Sequence, residues 1–233
     1  MRPIGFSTGA LACADFHKGL GMLHETKIEV VELSALREVE IGPLVAAVDS
    51  LDLSQFTYVS VHAPSLFPQE HESQVVDLLQ TIVDRDWPVI VHPDAIHDHR
   101  LWRKLGACLC IENMDKRKPI GRSVGELLRV FDSVPDASFC FDIGHARQFD
   151  STMTEAYFLL TAFRQKLRQV HVSEVNTSSK HDVMSYASIL AFREVAHLIP
   201  VNIPLILETP TPPRDLAAEI ERAREALPIC VAV

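Results

Sequence analysis

The sequence predicts an α/β protein built as a (β/α)8 TIM barrel. This is a parallel eight-stranded barrel wrapped by outer helices, here expected as one domain over residues 1–233. Three observations predict it. Eight short apolar, β-branched runs alternate with helix-like stretches. The runs start 26, 28, 31, 19, 31, 30 and 36 residues apart, close to the roughly 30 residues of one strand–helix crossover. Seven of the eight end on or contain a His, Glu or Asp, most of them at the rim where such barrels build their active sites.

In chain order the runs are 4–7, 30–33, 58–62, 89–92, 108–112, 139–142, 169–172 and 205–208. Between them, residues 73–84 place Val75, Val76, Leu78, Leu79, Ile82 and Val83 near a 3.6-residue period, which predicts a helix. Residues 123–131 open on Ser123 with Glu126 three positions later, a capping-box pattern. Residues 214–227 follow Pro212-Pro213 and alternate apolar and charged positions at helical spacing. The fourth and fifth runs start 19 residues apart, so the helix between them must be short. An open doubly wound sheet would also alternate, but with fewer strands, and neither a GxGxxG nor a Walker A loop occurs.

Composition narrows the function. Of 233 residues, 47% are apolar, enough for a large core. No apolar run approaches the roughly 20 residues of a spanning helix, and the first residues lack the apolar stretch of a secretory signal. A cytoplasmic protein with no membrane partner is expected. The net charge of −9 counts against nucleic acid as partner, because phosphate binding draws on a basic face. The five cysteines show no CxxC spacing, and Cys108, Cys110 and Cys140 fall in strand-like runs, so buried free thiols are expected rather than disulfides or a zinc knuckle. Eleven histidines are the unusual feature.

Several of those histidines fall at run ends. In a barrel His62, His92, Glu112, Asp142, His145, His171 and Glu208 would converge on one rim. Carboxylates gathered in a partly dry pocket repel one another and raise each other's pKa. A divalent cation removes that penalty, and a mixed imidazole and carboxylate set suits zinc, manganese, cobalt or iron. More than one ion can be accommodated by so many donors.

The motifs Val61-His62-Ala63-Pro64, Val91-His92-Pro93, Ile111-Glu112-Asn113-Met114, Phe141-Asp142-Ile143-Gly144-His145-Ala146, Val170-His171-Val172 and Leu207-Glu208-Thr209-Pro210 resemble the xylose isomerase-like TIM-barrel superfamily. That group holds sugar isomerases and epimerases and the endonuclease IV proteins. The resemblance runs from Gly5 to about Pro210. It implies that Glu112, Asp142, His171 and Glu208 ligate one metal, with Glu112 and Glu208 as the catalytic pair that moves a proton between adjacent carbons. His145 matches a substrate-contacting histidine. In the endonuclease-like members the extra ligands would map to His62 and His92, with Glu112 bridging, and to His145 and His181 for a third ion. Those members place an Asp two residues before the last histidine, where this chain has Ser179, with Asp182 as the nearest substitute. The early loop Ser7-Thr8-Gly9-Ala10 also lacks the basic or wedge residues that abasic DNA would require.

Other residues carry less. His97 and His99 flank Asp98 and read as a helix start. Arg147 follows the Asp-x-Gly-His motif and is expected near a substrate anion or in a salt bridge. Lys116-Arg117-Lys118 and Lys180 fall in rim loops, and Glu32 near the end of the second run suits a rim hydrogen-bond network. No Gly-x-Ser-x-Gly context marks a triad hydrolase. The leading expectation is a metal-dependent isomerase or epimerase of a small sugar-like hydroxycarbonyl compound, working through a metal-stabilised enediolate. His62, His92, His145 and Arg147 would contact substrate. The alternatives are a di- or trinuclear hydrolase of phosphoesters and a non-catalytic metal-binding barrel. A homo-oligomer is compatible with all three.

Overall fold

A computed structural model describes residues 2–13, 15–24 and 26–229 and contains a closed barrel of eight parallel strands. The strands are β1 (Ile4–Ser7), β2 (Val30–Ser34), β3 (Tyr58–His62), β4 (Val89–Val91), β5 (Leu109–Glu112), β6 (Ser138–Asp142), β7 (Leu167–Val172) and β10 (Leu205–Leu207). Around the barrel they run β1-β10-β7-β6-β5-β4-β3-β2, and β1 closes on β2. The TIM-barrel expectation holds, with strand ends within one or two residues of the apolar runs. A two-stranded antiparallel hairpin, β8 (Glu174–Val175) with β9 (His181–Asp182), stands apart from the barrel.

The helices are α1 (Thr8–Ala12), α2 (Phe16–His24), α3 (Glu38–Ala47), α4 (Glu72–Gln80), α5 (His99–Trp102), α6 (Val124–Ser133), α7 (Ile143–Phe149), α8 (Thr154–Ala162), α9 (Tyr186–Val195) and α10 (Leu216–Ala226). The helix predicted over 73–84 stops at Gln80. A 3-10 turn (Val83–Arg85) then leads to Asp86, whose φ of 56° turns the chain into β4. Ser123 caps α6 by accepting from Glu126 N, while the Glu126 carboxylate reaches back one residue further than a capping box, to Arg122 N. The short connection before β5 is α5, four residues long, with Asp98 as its cap. Glu72, buried at the start of α4, holds that connection. Its carboxylate accepts from His97 N at 2.7 Å, Asp98 N at 3.0 Å and Trp102 Nε1 at 2.7 Å.

Strands covered on both faces must be apolar almost throughout, and the main core lies between strands and helices, around Phe6, Trp102, Phe139, Phe141 and Phe192. The barrel lumen is different. A small apolar cluster of Ile90, Cys110 and Cys140 fills part of it. Glu32, Ser60, Gln169 and His171 are buried with it. Cys108, Cys110 and Cys140 are buried free thiols, as expected, and burial pushes Cys110 up to about 12. Cys13 is exposed, and Cys230 lies outside the described residues. Among the described residues, no helix is long and apolar enough to cross a membrane.

The seam between β1 and β2 depends on Gly5. The backbones approach so closely that a Cβ at Gly5 would sit 1.8 Å from Val30 O. Just before β1, Arg2, itself buried, donates to Leu227 O at 2.9 Å and Ile199 O at 2.8 Å, tying the start of the barrel to the end of α10 and to the segment after α9.

Candidate metal centre

Six strand ends bring their chemistry together at one rim: β3 with His62, β4 with His92, β5 with Glu112, β6 with Asp142, β7 with His171 and β10 with Glu208. Two groups of donor atoms form, His62-His92-Glu112 and Glu112-Asp142-His171-Glu208, each with its ligand atoms within 4.8 Å of one another. Glu112 belongs to both. Its Oε2 lies 3.3 Å from His62 Nε2 and 3.3 Å from His92 Nε2. Its Oε1 lies 3.3 Å from His171 Nδ1 and 3.2 Å from His145 Nδ1.

The local sequence explains the arrangement. Asn113 stitches the ends of β5 and β6 together: its amide donates to Asp142 O at 2.8 Å and its carbonyl accepts from Asp142 N at 2.8 Å. The Glu-Asn pair is therefore a donor followed by the clamp that aligns the next donor. Asp142 caps α7, with Oδ1 accepting from His145 N at 2.6 Å. This leaves Oδ2 free to face the site. Gly144 is required because a Cβ there would meet Ser173 O at 2.5 Å, so α7 can pack against the chain leaving β7. His62 Nδ1 donates to Ala63 O at 2.8 Å, which fixes Nε2 as the nitrogen that looks inward.

Whether these residues fit a cation can be judged from their unmet polar atoms. Glu112 Oε2, Asp142 Oδ2, Glu208 Oε2 and His92 Nδ1 are buried without a hydrogen-bond partner. Buried polar groups are normally paired. Three orphaned carboxylate oxygens on one rim, flanked by inward-facing imidazole nitrogens, fit one or two divalent ions.

Electrostatics gives the same picture. Burial pushes Asp142 up to about 7, and Glu112 and Glu208 add to the rise against the pull of His145. Glu208 is likewise raised by burial. Burial would raise Glu112 too, but the surrounding imidazoles, His171 foremost, hold it well below the usual carboxylate range. Burial opposes charge on His145, yet Asp142 and Glu112 outweigh it and carry it up to about 10. His171 is driven well above its ordinary value in the same way, and His62 is raised. His92 and His181 go the other way, down to about 4, because burial dominates. Protonated imidazoles thus balance the carboxylates in metal-stripped protein. Ligation needs neutral imidazole and ionised carboxylate. Divalent ions are therefore expected to displace protons at pH 7, and affinity should rise with pH. Calorimetric titration of stripped protein in two buffers of different ionisation heat checks this, and equal heats would contradict it.

The remaining expected residues divide. His145 lies beside Glu112 and Asp142, at 3.3 Å from Asp142 Oδ2, but donates to Asn113 O and joins neither donor group. His181 sits 3.6 Å from Glu208 Oε2, with Nδ1 against Ser173 Oγ at 2.7 Å. Ser179 faces the cavity and accepts from Gln148. Asp182 is exposed and accepts from Val183 N, so it does not replace the missing carboxylate of a third site. Arg147 pairs with Glu174 at 3.8 Å and is not among the residues lining the cavity. Glu32 lies within the barrel rather than at the rim, 3.0 Å from His171 Nε2. Gln169 was not singled out, although its position two residues before His171 puts it on the same strand face.

Above the donors opens a cavity of about 510 Å³, within the range of small-molecule sites. Ala10, Leu36 and Pro210, from the loops after β1, β2 and β10, give one side an apolar surface. Lys118 and Lys180, from the loops after β5 and β7, stand on the other, and Lys118 also pairs with Asp94 at 2.9 Å.

No family model and no curated protein matches the sequence. Solved structures do. Endonuclease IV from Thermus thermophilus superposes with a TM-score of 0.60 at 17% identity, covering 97% of this chain and 99% of that one. A xylose isomerase domain protein from Alicyclobacillus acidocaldarius gives 0.67 at 14% identity, covering 97% of this chain and 98% of that one. The chain shares their fold, a closed (β/α)8 TIM barrel. One fold carries many chemistries, so the reaction has to be argued from the donors and the cavity.

Proposed function

We propose that the protein is a metal-dependent hydrolase of small phosphoesters, holding two divalent ions that share Glu112. The observation that carries this is the position of the Glu112 carboxylate, with one oxygen turned to each donor group. Such a pair of ions, when bound, supplies an activated water and screens the charge of the phosphate. The chain supplies the rest. Glu208, raised by burial and with Oε2 unpartnered, is placed to accept the proton of the attacking water. Lys118 and Lys180 attract the anionic group, while the surface of Ala10, Leu36 and Pro210 takes the organic part of the ester. The net charge of −9 argues for a small ester over a nucleic acid. A cytoplasmic setting accords with the free thiols of Cys13, Cys108, Cys110 and Cys140.

The isomerase or epimerase expectation stays as a second reading, because an unpartnered Glu208 oxygen would equally take a proton from carbon. Metal content separates the two. Protein purified without a histidine tag or chelator is expected to carry two ions per chain, one of them lost in His62→Ala, with hydrolysis of aryl and alkyl phosphates reduced by about a hundredfold or more. A single ion unaffected by His62→Ala, with solvent deuterium entering hydroxycarbonyl sugars, would instead establish the isomerase. Two ions without turnover of either substrate set would leave a binding protein.

A further inference from the structure

Glu32 belongs to neither donor group. It interrupts the apolar strand β2 and is fully buried in the lumen. A buried carboxylate contributes less to folding than an apolar side chain of its volume, so packing gives no reason for it. Its contacts do. Glu32 Oε2 accepts from Ser60 Oγ at 3.1 Å and from Gln169 Nε2 at 2.7 Å, and lies 3.0 Å from His171 Nε2. A carboxylate oxygen only accepts, so a hydrogen bond across the last contact runs from His171 Nε2 to Glu32, and Gln169, whose amide nitrogen lies 2.8 Å from the same ring nitrogen, does not compete as acceptor. Tyr58 Oη donates to Gln169 Oε1 at 2.8 Å, so the amide nitrogen is the end turned towards Glu32 and His171. An NH2 group cannot accept. The acceptor for a proton on His171 Nε2 is therefore Glu32. The opposite ring nitrogen, Nδ1, faces Glu112 Oε1 at 3.3 Å and Glu208 Oε2 at 3.5 Å.

We propose that Glu32 is a positioning residue for the metal centre: by accepting the Nε2 proton it locks His171 so that Nδ1 presents its lone pair to the group made with Glu112, Asp142 and Glu208. The inference rests on the metal-centre reading above. A carboxylate behind a ligating imidazole fixes the tautomer and strengthens the ligand. Here Gln169 and Tyr58 in turn fix the carboxylate, so the support reaches from one wall of the lumen to the other.

Zinc is the probe. In zinc-loaded wild-type protein with 15N-labelled histidine, His171 is expected to carry its proton on Nε2, shifted downfield by the hydrogen bond, with Nδ1 bound to zinc. Finding the proton on Nδ1 would overturn the proposal, and this measurement needs no variant. In zinc titrations, Glu32→Ala should weaken the Glu112-Asp142-His171-Glu208 group by about 10–100-fold. Glu32→Gln, which keeps an acceptor oxygen, should recover part of the loss, and the His62-His92-Glu112 group should hold its affinity. Equal weakening at both groups, or none at either, would sink the idea. Zinc uptake by the wild type in the same titration reports separately on the metal centre itself, and a wild type that takes up no zinc removes both readings.

Discussion

Glu112→Gln is expected to empty both ion positions and reduce turnover by about a thousandfold or more, equivalent to about 4 kcal/mol at the transition state. The reason is the shared carboxylate: Oε1 and Oε2 each serve a different donor group. An amide of the same volume offers one weak neutral oxygen in place of two charged ones. By contrast His92→Ala touches only the His62-His92-Glu112 group and should cost a single ion. The change should leave the barrel folded, because Gln fills the same space and the imidazoles around it can shed protons when their counter-charge goes. Elemental analysis with circular dichroism and turnover on the same preparations checks all three points. Two ions retained in a folded Glu112→Gln protein would remove the bridging role.

Gly5→Ala is expected to have the largest effect on stability. The added methyl would stand 1.8 Å from Val30 O and 2.7 Å from Val30 Cβ. Overpacking in a core usually costs about 1–3 kcal/mol, because side chains move aside. Here the obstacle is the backbone of the neighbouring strand, paired in register at Phe6 with Val31 and Ser7 with Glu32. Relief requires opening the β1–β2 seam that closes the barrel, so a loss above about 3 kcal/mol is expected. Chemical denaturation measures it, and a midpoint within error of the wild type would show that the seam is not as tight as described. The same change at Gly21 or Gly42 meets nothing within 4 Å and serves as the control.

The barrel was legible because its signal is repetitive: each run is short, apolar and followed by a helix of its own. The strand-end donors were legible for the same reason, since knowing a strand's end tells which rim its last side chain reaches. Pairings across the lumen were not legible. Glu32 and His171 are 139 positions apart and meet only after closure. Read along the chain, Glu32 is simply an acid near the end of a strand. The β8–β9 hairpin escaped notice because two-residue strands have no periodicity, and it changes the environment of His181, whose Nδ1 meets Ser173. The helix α1, five residues long directly after β1, is likewise too short to show a period. Arg147 was placed at the right rim but paired by its neighbour Glu174, a contact that depends on where the hairpin begins.

Drawing one donor from each of six strands has a consequence for the chain as a polymer. Ions held at this rim would cross-link segments from His62 to Glu208, gathering most of the barrel's perimeter into one knot. The denatured chain offers no such convergence, so the ligand binds the native state alone, and saturation at a hundred times the dissociation constant adds about 2.7 kcal/mol to it. Rupture of the barrel then requires release of the ions, although the ions can leave a barrel that stays folded, and the centre doubles as a hoop around the strands that build it.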